Sequence, residues 1–238
     1  IAARDPDSAA YAELIDIEGI GPTLAGTLAA FFGEAHNRAA ADDLASELLA
    51  AHKENPQELT YREVESIIYG LSFAGHEIVS NFIGLTLQNL LPRRDRWEAC
   101  CNDLSLIPGM LEEVLRFDSP QISWRRVATQ DTRLGGVDIP KGTRIFISLG
   151  SANRDPALFP APAEFNIDRV NATKHIAFGY GIHFCLGARL ARMATRIAIE
   201  ALVTRVPSLR LVDNQDFSFA PNITFRGPLK LYAKWDER

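Results

Sequence analysis

Cysteine is scarce in this chain: three in 238 residues, two of them adjacent as Cys100-Cys101 and the third, Cys185, alone. Three irregularly spaced thiols make no disulfide framework and favour a reducing compartment. Only five histidines accompany them and no C-x-x-C pair occurs, so a structural zinc site lacks its ligand spacing. Long hydrophobic runs are missing too. The first twenty residues carry Arg4, Asp5, Asp7, Glu13, Asp16 and Glu18, which no secretion-signal core tolerates. The most apolar helical stretch is interrupted by His76 and Glu77, so no membrane span is expected. A formal charge of −5 argues against general nucleic-acid binding. There is no internal repeat or low-complexity tract. What is present is 47% hydrophobic residues, enough for a sizeable core. A soluble, cytoplasmic protein is expected.

The patterning predicts a mainly helical chain. Residues 23–36 and 39–53 read as two helices, with Leu44, Leu48 and Ala51 at helical spacing, and Asn55-Pro56 breaks the second. Thr60 and Glu63 have the spacing of a capping box. The helix they open runs to Leu91, where Pro92 stops it, about 45 Å at 1.5 Å per residue. Apolar on most faces, with Gly70, Gly75 and Gly84 inside, it has the pattern of a buried helix. Pro108 suits the first turn of another helix reaching Phe117. Residues 125–130, 132–138 and 143–149 read as short strands, with turns at Gly135-Gly136 and Pro140-Lys141-Gly142. An irregular meander follows from Asn153 to Pro162. Helix returns at Leu186 and runs to about Val206, with Leu186, Leu190, Met193 and Ile197 as its apolar stripe. A few strands are expected after Ser208. The fold class is α+β, mainly α with a small β region.

One stretch carries the chemistry: Phe178-Gly179-Tyr180-Gly181-Ile182-His183-Phe184-Cys185-Leu186-Gly187-Ala188-Arg189. Its two glycines allow a tight backbone turn, and the helix beginning behind Cys185 favours a thiolate through its dipole and free first-turn N–H groups. A single thiolate is what a haem iron with an axial cysteine requires. Gly187 would let the helix approach closely. The competing reading is a buried structural cysteine.

The pattern F-G-x-G-x-H-x-C-x-G-A resembles the haem-binding loop of the cytochrome P-450 monooxygenases, of the soluble bacterial type. The likeness runs the length of the chain and covers roughly the C-terminal three-fifths of such an enzyme; the early helices have no counterpart, and Ile1 starts mid-pattern, so residues 1–238 are expected to be the haem-binding portion of a single domain, a fragment. The resemblance implies haem b as cofactor, with Cys185 as iron ligand and Phe178, Gly179 and Gly187 beneath the ring. Arg126 and His183 are implied as propionate partners, with Arg125 able to exchange roles with Arg126 and a loop-packing role open for His183. Glu113, Arg116 and Arg169 match the family's Glu–Arg–Arg triad, which holds the cysteine loop. Ala74-Gly75-His76-Glu77-Ile78 is similar to the segment over the distal haem face, where the family usually has Thr in place of Ile78. Isoleucine cannot donate a proton, and Ser80 lies about 200° around the helix. Glu77 is either an acid near the site or a helix salt-bridge partner. Phe73, Ile122, Ser123, Asn222 and Ile223 match substrate-lining stretches, or are packing core.

The activity this implies is insertion of one oxygen atom of dioxygen into a small organic substrate, with electrons from a ferredoxin, flavodoxin or reductase. Thiolate donation favours O–O cleavage. Ser123-Trp124-Arg125-Arg126 and the segment from Pro221 to Pro228 are similar to members fused to a reductase. Arg189, Arg192 and Arg196, spaced i, i+3 and i+7, are expected to offer a basic docking face to an acidic donor; Arg196 could instead pair with Glu200. Ile78 and the absent N-terminal portion leave two other readings open: a non-catalytic haem-binding remnant, and peroxide-driven chemistry on the same haem.

Overall fold

The computed structural model describes residues 35–236, with side chains from residue 45 onward. The chain divides at Phe73–Ala74 into two compact units. The first holds helix α1 (Ala35–Glu54) and the opening turns of α2 (Tyr61–Leu90). Most of the helix expected over 23–36 lies outside the described residues, and α1 runs unbroken through positions 37 and 38, where a gap was expected. At the start of α2 the capping box is formed. The Thr60 backbone N–H donates to the Glu63 carboxylate at 2.8 Å, and the Glu63 N–H donates back to Thr60 Oγ1 at 3.3 Å.

In the second unit, α3 (Arg94–Asn102) and α4 (Ile107–Phe117) precede the β region, and α6 (Ala188–Arg205) follows it. Their shared core has Phe82, Leu85 and Leu90 from the end of α2, Trp97 and Cys100 from α3, and Ile199 and Val203 from α6 around the apolar face of α4. On α4, positions 107, 110, 111, 114 and 115 are all buried, the i, i+3, i+4, i+7, i+8 pattern of a core-facing helix. Burial of α2 is confined to its last turns within this unit; Phe82, Leu85 and Leu90 are covered, whereas Ala74, Gly75 and Ser80 are exposed. The helix, apolar on most faces, was expected to be buried; among the described residues its buried positions are Val64 near the start and Phe82, Leu85, Thr86 and Leu90 at the end.

Among the described residues, the β region is three two-stranded antiparallel sheets. β1 (Ser123–Val127) pairs with β4 (Arg144–Ser148), with Arg126 opposite Ile145. Residues expected as one strand over 132–138 fold back as a hairpin, β2 (Thr132–Leu134) against β3 (Val137–Ile139). Gly135 and Gly136 make the turn at φ +58° and +85°, a two-residue geometry that costs glycine nothing. Short helix α5 (Leu149–Ala152) follows β4, and β5 (Arg210–Leu211) pairs with β6 (Ala233–Lys234) near the end. α6 begins at Ala188 rather than Leu186, with Gly187 at its N-cap.

The closing segment returns to α2. Gly84 lies beside Pro228, and a Cβ on Gly227 would fall inside the side chain of Asn81, so this contact requires glycine. Among the described residues, no helix is long and apolar enough to cross a membrane.

Candidate functional site

The site rests on α4. The i, i+3 spacing puts Glu113 and Arg116 on one face, and both side chains are fully buried. Arg116 meets the carboxylate with both Nε and Nη2 at 2.7 Å. Its other hydrogen bonds go to the carbonyls of Asn153, Pro162 and Glu164. All the donor directions of the guanidinium are thereby used. Arg169 adds its Nε to Glu113 at 3.1 Å and holds the carbonyls of Pro160, Ala161 and Glu164. The Asn166 N–H completes the carboxylate at 2.9 Å. The structure therefore brings Glu113, Arg116 and Arg169 together and wraps the meander around them.

Asn153 carries that order toward the cysteine loop. Its carbonyl accepts from Arg116, and its Oδ1 accepts the Ile176 N–H at 2.8 Å. From there the loop turns twice in the left-handed region, at Gly179 (φ +77°) and Gly181 (φ +74°), which other L residues rarely adopt. It closes where the Cys185 N–H donates to the Phe178 carbonyl at 2.9 Å. Cys185 is the exposed cysteine of the three; Cys100 is buried and Cys101 half-buried. Beside it stand Ile182, 97% exposed, Leu186, 90% exposed, and Phe184. A lone accessible thiol among uncovered apolar side chains fits a flat, apolar cofactor with one open metal position. No group of three His, Cys, Asp or Glu side chains able to hold a metal ion exists among the described residues. Near Gly187 no described atom lies within 4 Å of a would-be Cβ, so its space is open rather than filled by close helix packing.

A second buried network was not anticipated. Glu112, next to Glu113, accepts from Arg192 Nε at 2.6 Å and Nη2 at 2.9 Å, and from His175 Nε2 at 3.2 Å. Burial pushes the Glu112 carboxyl up, but the hydrogen bonds from Arg192 and His175 and the Arg192 charge outweigh it and hold its pKa at about 2. No local spacing signals it: Glu112 lies off the 107, 110, 111, 114, 115 stripe, and its partners are 63 and 80 residues away. Arg192 is consequently not a free member of a basic face, and Arg196 lies 3.4 Å from Glu200. Of the three arginines expected to make a docking surface, two are paired. The apolar stripe expected on α6 is likewise not its core face. Leu186, Leu190, Met193 and Ile197 are exposed, and Ala188, Thr195, Ile199 and Val203 are buried.

Ala74, Gly75, Glu77 and Ile78 lie together on α2, with Ala74 and Gly75 exposed and Glu77 and Ile78 half-buried. Ser80 Oγ donates to the His76 carbonyl at 3.0 Å, so its hydroxyl is spent on its own helix. Arg126 projects from β1 into a groove of about 580 Å³ lined also by Arg125, Val127 and Phe146, and donates to the Arg125 carbonyl at 2.8 Å. His183 is exposed in the turn before Cys185. No hydrogen bond or ion pair joins it to Arg126 among the described residues. Ile122, Ser123 and Ile223 line one cavity of about 300 Å³. There the Ile122 N–H donates to the Thr224 carbonyl at 2.8 Å, and Ser123 Oγ to that of Ile223. Asn222 faces its own turn, its Oδ1 accepting from Thr224 and Phe225. Phe73 lies in the first unit, half-exposed on α2.

Comparison with known proteins gives the family. The family model described as Cytochrome P450 matches residues 88–206, half of the chain. The chain is similar to Cytochrome P450 107B1 of Saccharopolyspora erythraea, with 41% identity over 80% of this chain and 47% of that protein. It is similar to the 6-deoxyerythronolide B hydroxylase of the same organism, at 35% identity over 78% of this chain and 46% of that one. The crystal structure of the Tepidiphilus thermophilus P450 heme domain superimposes with a TM-score of 0.79 at 36% identity, covering 90% of this chain and 53% of that one. The chain thus spans about half the length of the curated relatives it matches. Proteins of this family bind haem b, and the chain belongs to the cytochrome P450 family.

Proposed function

We propose that residues 1–238 form the haem-binding portion of a single monooxygenase domain, in which Cys185 is the iron ligand. The observation that carries this is the exposed thiol at the tip of a loop turned by two left-handed glycines and anchored to a buried ion network. When bound, haem b supplies the activation of dioxygen for oxygen insertion into a small organic substrate. Phe178, Gly179 and Gly187 would hold the haem together with Cys185, and Arg126 and His183 would supply charge-assisted donors to its carboxylates. Glu113, Arg116 and Arg169 hold the loop and do not touch reacting atoms. Ile122, Ser123 and Ile223, with Asn222, bound the substrate space. Ala74 and Gly75 leave room over the distal face, and Glu77 is the nearby acid. Electrons come from an acidic ferredoxin, flavodoxin or reductase, with Arg189 the one of the three expected arginines left for docking, and the setting is cytoplasmic. Replacing Cys185 with Ala or Ser is expected to abolish the red-shifted carbonyl band of the reduced, haem-loaded protein; its survival would mean that another residue binds iron.

A peroxide-driven reading is favoured by one observation. Ile78 has no hydroxyl, and that of Ser80 is committed to His76, so neither side chain delivers a proton. Ile78→Thr is expected to raise product per electron consumed if dioxygen is the oxidant and to leave peroxide-supported turnover unchanged.

A further inference from the structure

We propose that Glu112 is a positioning residue for Cys185, because its one carboxylate ties together the two feet of the cysteine loop, His175 before it and Arg192 after it. The role deepens the haem-binding reading and rests on it for its purpose, whereas the geometry stands by itself.

The His175 side chain is 2% exposed and holds the first foot in two directions. Its Nδ1 accepts the Ala177 N–H at 3.1 Å, so Nε2 is the protonated nitrogen that donates to Glu112 at 3.2 Å. Arg192, in the second turn of α6, holds the other foot through its two-pronged contact with the same carboxylate. Such forked pairs fix orientation as well as distance. Its guanidinium also lies over the Phe178 ring, 4.4 Å from the centroid, a cation–π arrangement. Phe178 is the residue whose carbonyl takes the Cys185 N–H. A continuous set of contacts thus runs from Glu112 through Arg192 and Phe178 to the backbone of Cys185. Between the feet, Ile176 and Ala177 are held at the first end and Ala188 is buried at the second, while Tyr180, Ile182 and Leu186 at the turn are nearly fully exposed. Closing such a loop costs entropy that a pair of anchored ends offsets. Glu113 cannot serve in place of Glu112, because its carboxylate is already filled by Arg116, Arg169 and Asn166.

Hydrogen exchange of the full chain prepared without haem reads this role. In Glu112→Gln, the Ala177 and Cys185 amides are expected to exchange roughly tenfold faster or more, the equivalent of losing one charge-assisted hydrogen bond. Ile199 and Val203, in the body of α6, keep their rates. Unchanged rates at Ala177 and Cys185, or equal acceleration at all four, overturns the proposal. Should Glu112→Gln fail to fold, His175 decides. His175→Gln retains an amide N–H donor toward Glu112 and is expected to preserve Cys185 exchange, whereas His175→Phe is expected to lose it; equal rates in the two overturn the proposal. Haem uptake is measured on the same samples. A chain that shows the loop response without taking haem refutes the haem reading alone, and one that takes haem without the response refutes only the positioning role.

Discussion

Glu112 and Glu113 are neighbours on α4, yet their carboxylates hold different parts of the chain. Successive helical residues point about 100° apart, so Glu113 faces Arg116, Arg169 and the meander, while Glu112 faces His175 and Arg192. Two adjacent buried acids thereby divide the support of the cysteine loop: one fixes the chain that leads into it, the other fixes its feet. Both act by limiting where the backbone can go.

Removing the Glu113 carboxylate is therefore expected to act on folding. Glu113→Ala leaves Arg116 buried without its counter-charge, a loss of about 3–5 kcal/mol for a broken buried pair. Denaturant unfolding of the variant should show a lower midpoint, and haem-loading little holoprotein. A soluble Glu113→Ala chain of wild-type stability would contradict this.

Acid should weaken the second network in a defined window. The Glu112 carboxyl titrates at about 2 in the folded chain against 4.5 for the free group. Between those values the unfolded chain binds a proton that the folded chain does not, so stability rises with pH. The contribution is complete above about 4.5 and is lost as pH falls toward 2. Compared with Glu112→Gln, the wild-type unfolding midpoint should fall more steeply over that range. Parallel curves would show that Arg192 and His175 do not hold the charge.

Much of this was legible in the residues, and the exceptions have physical causes. The i, i+3 spacing of Glu113 and Arg116 and the Thr60–Glu63 box are local patterns, and local patterns read directly from sequence. Gly135-Gly136 was recognised as a turn, yet its flanks were read as one strand, because three-residue strands carry too little alternation to separate. Glu112, His175 and Asn153 escaped notice since their partners lie 80, 63 and 23 residues away, distances at which spacing carries no information. The α6 stripe misled for another reason. Helical periodicity reports an apolar face but not what covers it, and the buried face here is built from smaller and β-branched residues.

Thiol chemistry should separate the three cysteines without any cofactor. Burial raises the Cys100 thiol to about 11 and shifts that of Cys101 upward, while Cys185 is exposed. Since the thiolate is the reactive form, a neutral maleimide at mild pH should label Cys185 first, Cys101 slowly, and Cys100 only after unfolding. Haem loading should then block the fast site. A fast site at Cys100 would contradict the burial of α3.

Gly227 tests whether the closing segment is truly seated on α2. Its missing Cβ is what allows the backbone to pass the Asn81 side chain, and the neighbouring Arg226 anchors the same segment to Asp118 at 2.7 Å. A methyl group at Gly227 must displace either Asn81 or the segment, and overpacking of this kind costs about 1–3 kcal/mol. Gly227→Ala should lower the unfolding midpoint accordingly. Shortening the opposing side chain should restore it: Asn81→Ala combined with Gly227→Ala is expected to be more stable than Gly227→Ala alone, a coupling that a double-mutant cycle isolates. Gly75→Ala is the control, because among the described residues nothing beyond its own helix comes within 4 Å of a Cβ built there and alanine favours helix over glycine by about 1 kcal/mol. Destabilisation by Gly227→Ala that Asn81→Ala leaves untouched would place the strain in the backbone and not in this contact.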